Sequence, residues 1–203
     1  MQRLSALNNQ FKHVPQAPAD AILGLTTGFK ADKNPKKVNL GVGAYRDNNG
    51  KPFVFPVVRK AEAAICADHS LDKEYLPIDG LAEFRTGAQG VLFGWNSPLI
   101  GADHISSVQT LSGTGALRVV GEFLTKFKPA AMYVSNPTWG NHNAVFAAAG
   151  VKTRSYRYFD KKTKGLDING MLEDLEAATS GSCVLLHTCA HNPTGVDPSE
   201  AQW

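Results

Sequence analysis

The sequence predicts an α/β fold, with a mostly parallel central sheet and helices on both faces. Three observations predict it. Short strand-like runs at 131–134, 153–158 and 183–186 are separated by stretches with helical spacing at 140–149 and 168–178. Strands alternating with helices at this interval are joined by crossovers, and crossovers make neighbouring strands parallel. The run Cys183–Leu186 is apolar without alternation, as a strand covered on both faces requires. Hydrophobic residues make up 43% and charged residues 19% of 203, enough apolar material for a packed core.

Taken in order, residues 1–37 are polar and rich in turn formers. One short helix is expected there, from Pro18 to Phe29, with the proline near its first turn, where a missing N–H costs little. Val38–Leu40 and Phe53–Phe55 read as extended. Val58, Ala61, Ala64 and Ile65 share one face of a helix over 57–69, and Leu81, Phe84, Ala88 and Leu92 one face of a helix over 81–93. A strand is expected at Ile105–Leu111, then a turn at Ser112-Gly113-Thr114-Gly115. A helix over 116–127 follows, with Leu117, Val120, Phe123, Leu124 and Phe127 facing one way. At the end, Asp197-Pro198-Ser199-Glu200 reads as a helix start, with a capping acid and proline at the first helical position.

Charge narrows the function classes. Lys plus Arg is 21 and Asp plus Glu is 18, a net charge of +3, which makes no electrostatic case for nucleic acid or an anionic membrane. Lys36-Lys37 and Lys161-Lys162 read as solvated loop charges. No apolar run approaches the ~20 residues that span a bilayer. The three cysteines, Cys66, Cys183 and Cys189, form no CxxC pair, which argues against a disulfide framework or zinc knuckle and for a reducing compartment. The first residues lack the apolar core of a secretory signal. Three basic residues and no acid precede Asp20, so a mitochondrial presequence competes with an ordinary N-terminal arm, and the arm is preferred.

Three loops that follow strands carry the chemistry. Ser112-Gly113-Thr114-Gly115 precedes a helix, where backbone N–H groups and small residues form an anion site and two hydroxyls add donors. The lysine of a Walker loop is absent, and the same residues equally serve a tight turn and cap. In Gly41-Val42-Gly43, the third glycine of a dinucleotide fingerprint is replaced by Arg46, so a close-approach loop is the better reading. Asn136-Pro137-Thr138-Trp139-Gly140-Asn141-His142 lies where α/β sheets bind ligands, and Trp139 can stack on a flat ring. After the next strand, Asn192 is a candidate donor to a ligand oxygen, and Cys189 is only a weak nucleophile candidate. His187 and His191 would need a helix to share a metal; Pro193 and Gly195 argue against one, so no metal site is expected. Phosphate cradle, indole and polar donor together describe a pocket for a phosphorylated, flat aromatic cofactor.

The stretches VNLGVGAYRDNNGKP (38–52), KEYLPIDGLAEF (73–84), VQTLSGTGALRV (108–119), SNPTWGNH (135–142), YRYFD (156–160) and HTCAHNPTGVDP (187–198) resemble, in the same order, the N-terminal half of the aspartate aminotransferases. These are fold-type I enzymes that use pyridoxal 5'-phosphate. The resemblance implies that Ser112, Gly113 and Thr114 bind the cofactor phosphate and that Trp139 stacks on the pyridine ring. It implies that Asn192 donates to the ring's phenolic oxygen, and that His142 and His187 stand behind the carboxylate paired with the ring nitrogen. Gly43, Trp139 and Asn192 would meet the substrate, and Tyr75 would reach the partner's phosphate in a homodimer. The bonds Asn136-Pro137 and Asn192-Pro193 would be cis.

The implied reaction is amino transfer between aspartate and 2-oxoglutarate, in the cytoplasm or alternatively the mitochondrion. In the family the Schiff-base lysine, the ring-nitrogen aspartate and the substrate-clamping arginines lie beyond the position of Trp203. The 203 residues are therefore expected to be a fragment, inactive alone and with little cofactor affinity. Residues 1–52 would be an N-terminal arm and small-domain segment, and 53–203 the first part of the large cofactor domain. A non-catalytic product that binds full-length subunits is the alternative.

Overall fold

The computed structural model describes residues 11–15, 21–41, 43–100, 102 and 104–203. Pro18, Val42 and, of the basic residues read for a presequence, Arg3 lie outside them. The chain divides into two compact units, Met1–Asp72 and Lys73–Trp203.

In the first unit, helix α1 spans Ala21–Ala31. Lys37 is more than a solvated loop charge: its Nζ donates to Phe29 O at 2.6 Å and Asp32 O at 2.5 Å, and sits 4.5 Å above the Phe29 ring. The last carbonyls of a helix lack intrahelical partners and carry partial negative charge, which an ammonium satisfies. Neither 38–40 nor 53–55 forms a ladder strand; an isolated antiparallel bridge joins Arg46 and Pro52 around a turn held by Asp47 Oδ1. Tyr45, Phe53 and Phe55 cluster there, with ring centroids 4.6–6.0 Å apart. Helix α2 spans Pro56–Ala67, with proline at its first position. Its predicted apolar face is uncovered, Val58 and Ile65 being exposed.

In the second unit, helix α3 spans Ala82–Phe93. The strand expected at Ile105–Leu111 does not form. Its polar groups find other partners: Gln109 N donates to Asp79 O, while Arg85 and Gln89 of α3 donate to Ser107. A segment whose backbone is spent on loop and side-chain partners has no ladder to join. Helix α4 spans Ser112–Phe127, so the expected turn at 112–115 is its first turn, entered through Ser112 at φ 59°.

Strands β1 (Met132–Asn136), β2 (Thr153–Arg157) and β5 (Cys183–Val184) form a parallel sheet in the order β2-β1-β5. Helix α5 (Gly140–Ala148) crosses between β1 and β2, and helix α6 (Ile168–Glu176) follows the small hairpin β3 (Phe159–Asp160) and β4 (Gly165–Leu166). The doubly covered sheet is read directly from β1. Met132 and Val134 pack with Phe146, Ala149, Val151, Leu117 and Leu124, from α4, α5 and the turn after α5. Tyr133 faces the other way, into Tyr156, Tyr158, Met171 and Leu175. The apolar stripe expected on α4 is split: Leu117 and Leu124 reach this core, but Val120, Phe123 and Phe127 are exposed. The buried ridge runs instead through Gly121, where α4 approaches Ala149 most closely. Among the described residues, no helix is long and apolar enough to cross a membrane.

Candidate functional site

The central strand β1 and its neighbour β5 both discharge into loops singled out from the sequence. After β1 the chain passes the cis bond Asn136-Pro137 to Trp139, the residue preceding α5. After β5 it runs through His187 and the cis bond Asn192-Pro193 to Val196. Because the strands are parallel, the two loops emerge on one edge of the sheet.

The loops meet through aromatic rings. Trp139 stands edge-on to His142 at 5.3 Å, and His142 edge-on to His187 at 5.2 Å. His187 stacks on His191 at 4.2 Å and 26°, and His191 on Tyr158 at 3.8 Å and 13°. Among the described residues, the hydrogen-bond partners of these histidine rings are three hydroxyls and one backbone amide, all neutral. Thr138 Oγ1 lies 2.8 Å from His142 Nδ1, and His191 sits between two hydroxyls, Ser135 Oγ at 2.8 Å and Thr194 Oγ1 at 2.7 Å. Burial pushes His142 and His191 down to about 4, and the neighbouring His187 adds to both shifts. Burial also lowers His187, against a raising influence from Asp197.

Asn192 belongs to the same cluster. Its backbone N–H donates to His187 Nδ1 at 3.0 Å, while its side chain is exposed. A neutral His187 that accepts at Nδ1 carries its proton on Nε2. That Nε2 is buried and has no partner among the described residues. A buried donor without an acceptor is costly, so the site is built to receive an acceptor atom there.

Ser112, Gly113 and Thr114 are exposed at the start of α4. The helix packs Gly121 on Ala149 and donates from Thr125 Oγ1 to Ala149 O at 2.8 Å, at the far end of α5. Sixteen residues at about 1.5 Å each put Ser112 at the other end, on the side where β1 terminates. Ser112 N donates to Thr110 O and Gly115 N to Leu111 O. The amides of Gly113 and Thr114 lack an intrahelical acceptor, as the first turn of a helix dictates, and face solvent. Free amides with flanking hydroxyls fit a phosphate, the half-buried indole fits a flat ring, and the unpartnered His187 Nε2 fits a polar group behind it.

Not every predicted residue joins this cluster. Tyr75 is fully exposed, and Cys189 is exposed in the loop after β5. Gly43 lies in the first unit, with open space around its Cα. Asp197 is not the helix cap it resembles. Its carboxylate accepts the amides of Ala190 and His191, while Ser199 and Gln202 form a reciprocal capping box on a single 3-10 turn, Glu200–Gln202. Ser135, Thr138, His191 and Thr194 were not assigned to the site by sequence reasoning. For Ser135 and Thr138, a small hydroxyl residue near the end of β1 was the available signal; for His191 and Thr194, deep in the loop after β5, there was none.

The arrangement defines a class. The model of the class I and II aminotransferases matches residues 35–203, and the chain belongs to that family. It is 53% identical to the cytoplasmic aspartate aminotransferase of Oryza sativa subsp. japonica, over 98% of this chain and 49% of that protein. It is also 53% identical to the chloroplastic aspartate aminotransferase 3 of Arabidopsis thaliana, over 95% of this chain and 43% of that one. Two solved structures share the fold. The cytoplasmic aspartate aminotransferase of Saccharomyces cerevisiae superposes with a TM-score of 0.85 at 45% identity, covering 95% of this chain and 47% of its own. An aromatic-amino-acid aminotransferase from Burkholderia pseudomallei, covalently bound to pyridoxal phosphate, gives 0.87 at 46% identity, covering 95% and 48%. The fold is that of the fold-type I aminotransferases, and the chain spans about half the length of the relatives it matches.

Proposed function

We propose that this chain forms the cofactor-orienting part of a pyridoxal 5'-phosphate aminotransferase that exchanges the amino group of aspartate with 2-oxoglutarate, giving oxaloacetate and glutamate. The observation that carries the reading is the convergence of Trp139, His142, His187 and Asn192 in the loops after β1 and β5; the exposed first turn of α4, with the amides of Gly113 and Thr114, is proposed to complete the site. Aspartate as substrate rests on the 53% identity to relatives named for it; the aromatic enzymes among the structural neighbours are the competing choice.

When bound, the cofactor supplies an electron sink for the electron pair left as the substrate loses its α-proton. This chain's residues do the holding. The Gly113 and Thr114 amides and the Ser112 and Thr114 hydroxyls take the phosphate. Trp139 stacks on the ring and excludes water from one face. The Asn192 side chain donates to the ring oxygen. His142 and His187, kept neutral by burial, stand behind the acid that meets the ring nitrogen, and His187 offers its Nε2 proton to it. The Gly43 backbone approaches the substrate carboxylate, and Tyr75 reaches the partner's phosphate in a homodimer. Domains are proposed at 1–52 and 53–203.

The 203 residues alone are proposed not to turn over. Lys161, Lys162 and Lys164 lie in the exposed turn between β3 and β4. The cytoplasm is the proposed compartment, supported by the rice relative's name and three free cysteines. Recovery with mitochondria or chloroplasts on fractionation would overturn it. The functional test is pyridoxal 5'-phosphate titration, followed by tryptophan fluorescence and by oxaloacetate formation from aspartate and 2-oxoglutarate. Weak, saturable quenching that Trp139→Phe reduces, without turnover above the free-cofactor background, is expected. Absence of saturable binding overturns the cofactor role, and turnover overturns the inactivity of the chain alone.

A further inference from the structure

Outside the groups assigned to the cofactor, one side chain has more constraints than packing requires. His191 is 2% exposed and held from every side. Ser135 Oγ and Thr194 Oγ1 occupy its two ring nitrogens, and Asp197 Oδ1 accepts its amide at 2.8 Å. Its own carbonyl accepts from Gly195 N at 2.7 Å. The ring lies between Tyr158 and His187, and Tyr158 is in turn fixed by donating from its hydroxyl to Val196 O at 2.7 Å. A ring with both nitrogens bonded cannot rotate without breaking two hydrogen bonds, one buried and one part-buried. The face it presents to His187 is therefore fixed.

His187 has no comparable anchor. Among the described residues, its ring has one hydrogen bond, from the Asn192 amide to Nδ1, and Nε2 has none. If the ring turned over, Nδ1 would leave the Asn192 amide and the buried proton would point elsewhere. We propose that His191 is a positioning residue: by stacking on His187 and by holding the 187–197 loop that carries the Asn192 amide, it keeps His187 in the orientation and tautomer that present a proton at Nε2. Tyr158, His191, His187, His142 and Trp139 then form one continuous line of ring contacts from the sheet core to the indole. The proposal rests on the functional reading above only for what His187 would meet; the tautomer itself is a property of this chain.

The titratable groups around His187 are His142, His191 and Asp197, and the test reads them together. Histidine-labelled chain is studied without cofactor by long-range proton–nitrogen correlation, which separates the two neutral tautomers of each ring. Wild type is expected to show His187 protonated at Nε2 and unprotonated at Nδ1. Thr194→Val keeps the shape of the hydroxyl partner and frees one ring nitrogen of His191. His191→Phe keeps a stacking ring without its two bonds. Each is expected to raise the Nδ1-protonated form of His187 about tenfold, the effect of one lost hydrogen bond. His187 found mainly as the Nδ1-protonated tautomer in wild type overturns the proposal. So does an unchanged tautomer ratio in Thr194→Val, the milder variant, with its backbone spectrum retained. The result is distinguishable from the functional reading. A correct tautomer with no pyridoxal 5'-phosphate binding overturns that reading alone, and cofactor binding with an unresponsive His187 overturns this proposal alone.

Discussion

Asp197 closes the loop after β5 onto His191: its two carboxylate oxygens accept the amides of His191 at 2.8 Å and Ala190 at 2.7 Å. These two bonds hold the carboxyl below its usual range, and they fix the backbone at Ala190 and His191, just after His187. Hydrogen bonds to a charged acceptor are the stronger kind, so this clasp outweighs the capping box at Ser199 in ordering the loop. Asp197→Ala is expected to speed amide exchange at Ala190 and His191 at least about tenfold, whereas Ser199→Ala leaves both unchanged. Equal acceleration in the two variants would count against the clasp.

Acid should weaken the fold in two stages. His142 and His191 are held near 4 when folded against 6.5 when free, so between those values the unfolded chain binds protons that the folded chain refuses. Their contribution is complete above about 6.5 and is lost as pH falls to about 4, with a slope of at most about 1.4 kcal/mol per pH unit per group. Lowered His187 adds the same sign. Asp160, Asp174 and Asp197, also lowered, act later, below 3.8. Urea melts from pH 7 to 4.5 are expected to show declining stability, with a shallower decline in His142→Phe. A flat profile over that interval would contradict neutral burial of the two rings.

Trp139, itself half-buried, is the outer end of the ring line and stands edge-on to His142. Trp139→Ala is expected to weaken pyridoxal 5'-phosphate binding about tenfold, since an aromatic pair contributes about 0.5–1.5 kcal/mol beyond its area. It should also let water reach His142 and move its titration upward from about 4 toward 6.5. Proton chemical shifts of His142 followed against pH check the second effect without cofactor; an unmoved midpoint would show that the indole does not shield the ring.

Much of this was legible in the sequence, for identifiable reasons. Periodicity located α2, α3 and α6 within a few residues, because each has an apolar face at helical spacing or a proline or acid at its start, and Gly150 marked the end of α5. The parallel sheet followed from alternation of elements. The expected strand at Ile105–Leu111 failed because its partners, Asp79, Arg85 and Gln89, are distant in sequence. Asp197 was misread because an acid before a proline looks the same whether it caps the following helix or clasps the preceding loop. His187 and His191 were weighed as a metal pair by their spacing and rejected for want of a helix, but spacing gave no sign that the folded loop stacks their rings and spends His191's nitrogens on two hydroxyls.

Gly121 sets how closely α4 and α5 approach. A Cβ at this position would lie 2.7 Å from Ala149 Cβ and 3.5 Å from Phe146 Cδ1, and Phe146 is fully buried. Two effects oppose each other in Gly121→Ala. Helix propensity favours alanine by about 0.8–1 kcal/mol. Overpacking a close-packed core costs about 1–3 kcal/mol, and here the obstructing atom is a Cβ rooted in backbone, which cannot swing aside. The clash should win, giving a net destabilisation of about 1 kcal/mol despite the better helix former. Ala149→Gly in the same chain removes the obstructing atom, so the double variant should recover most of that loss relative to Ala149→Gly alone. Chemical denaturation of the four chains closes the cycle. A stabilised single variant would mean that α4 can retreat from α5, and that the core under β1 is less tightly packed than the contacts of Phe146, Val134 and Leu124 imply.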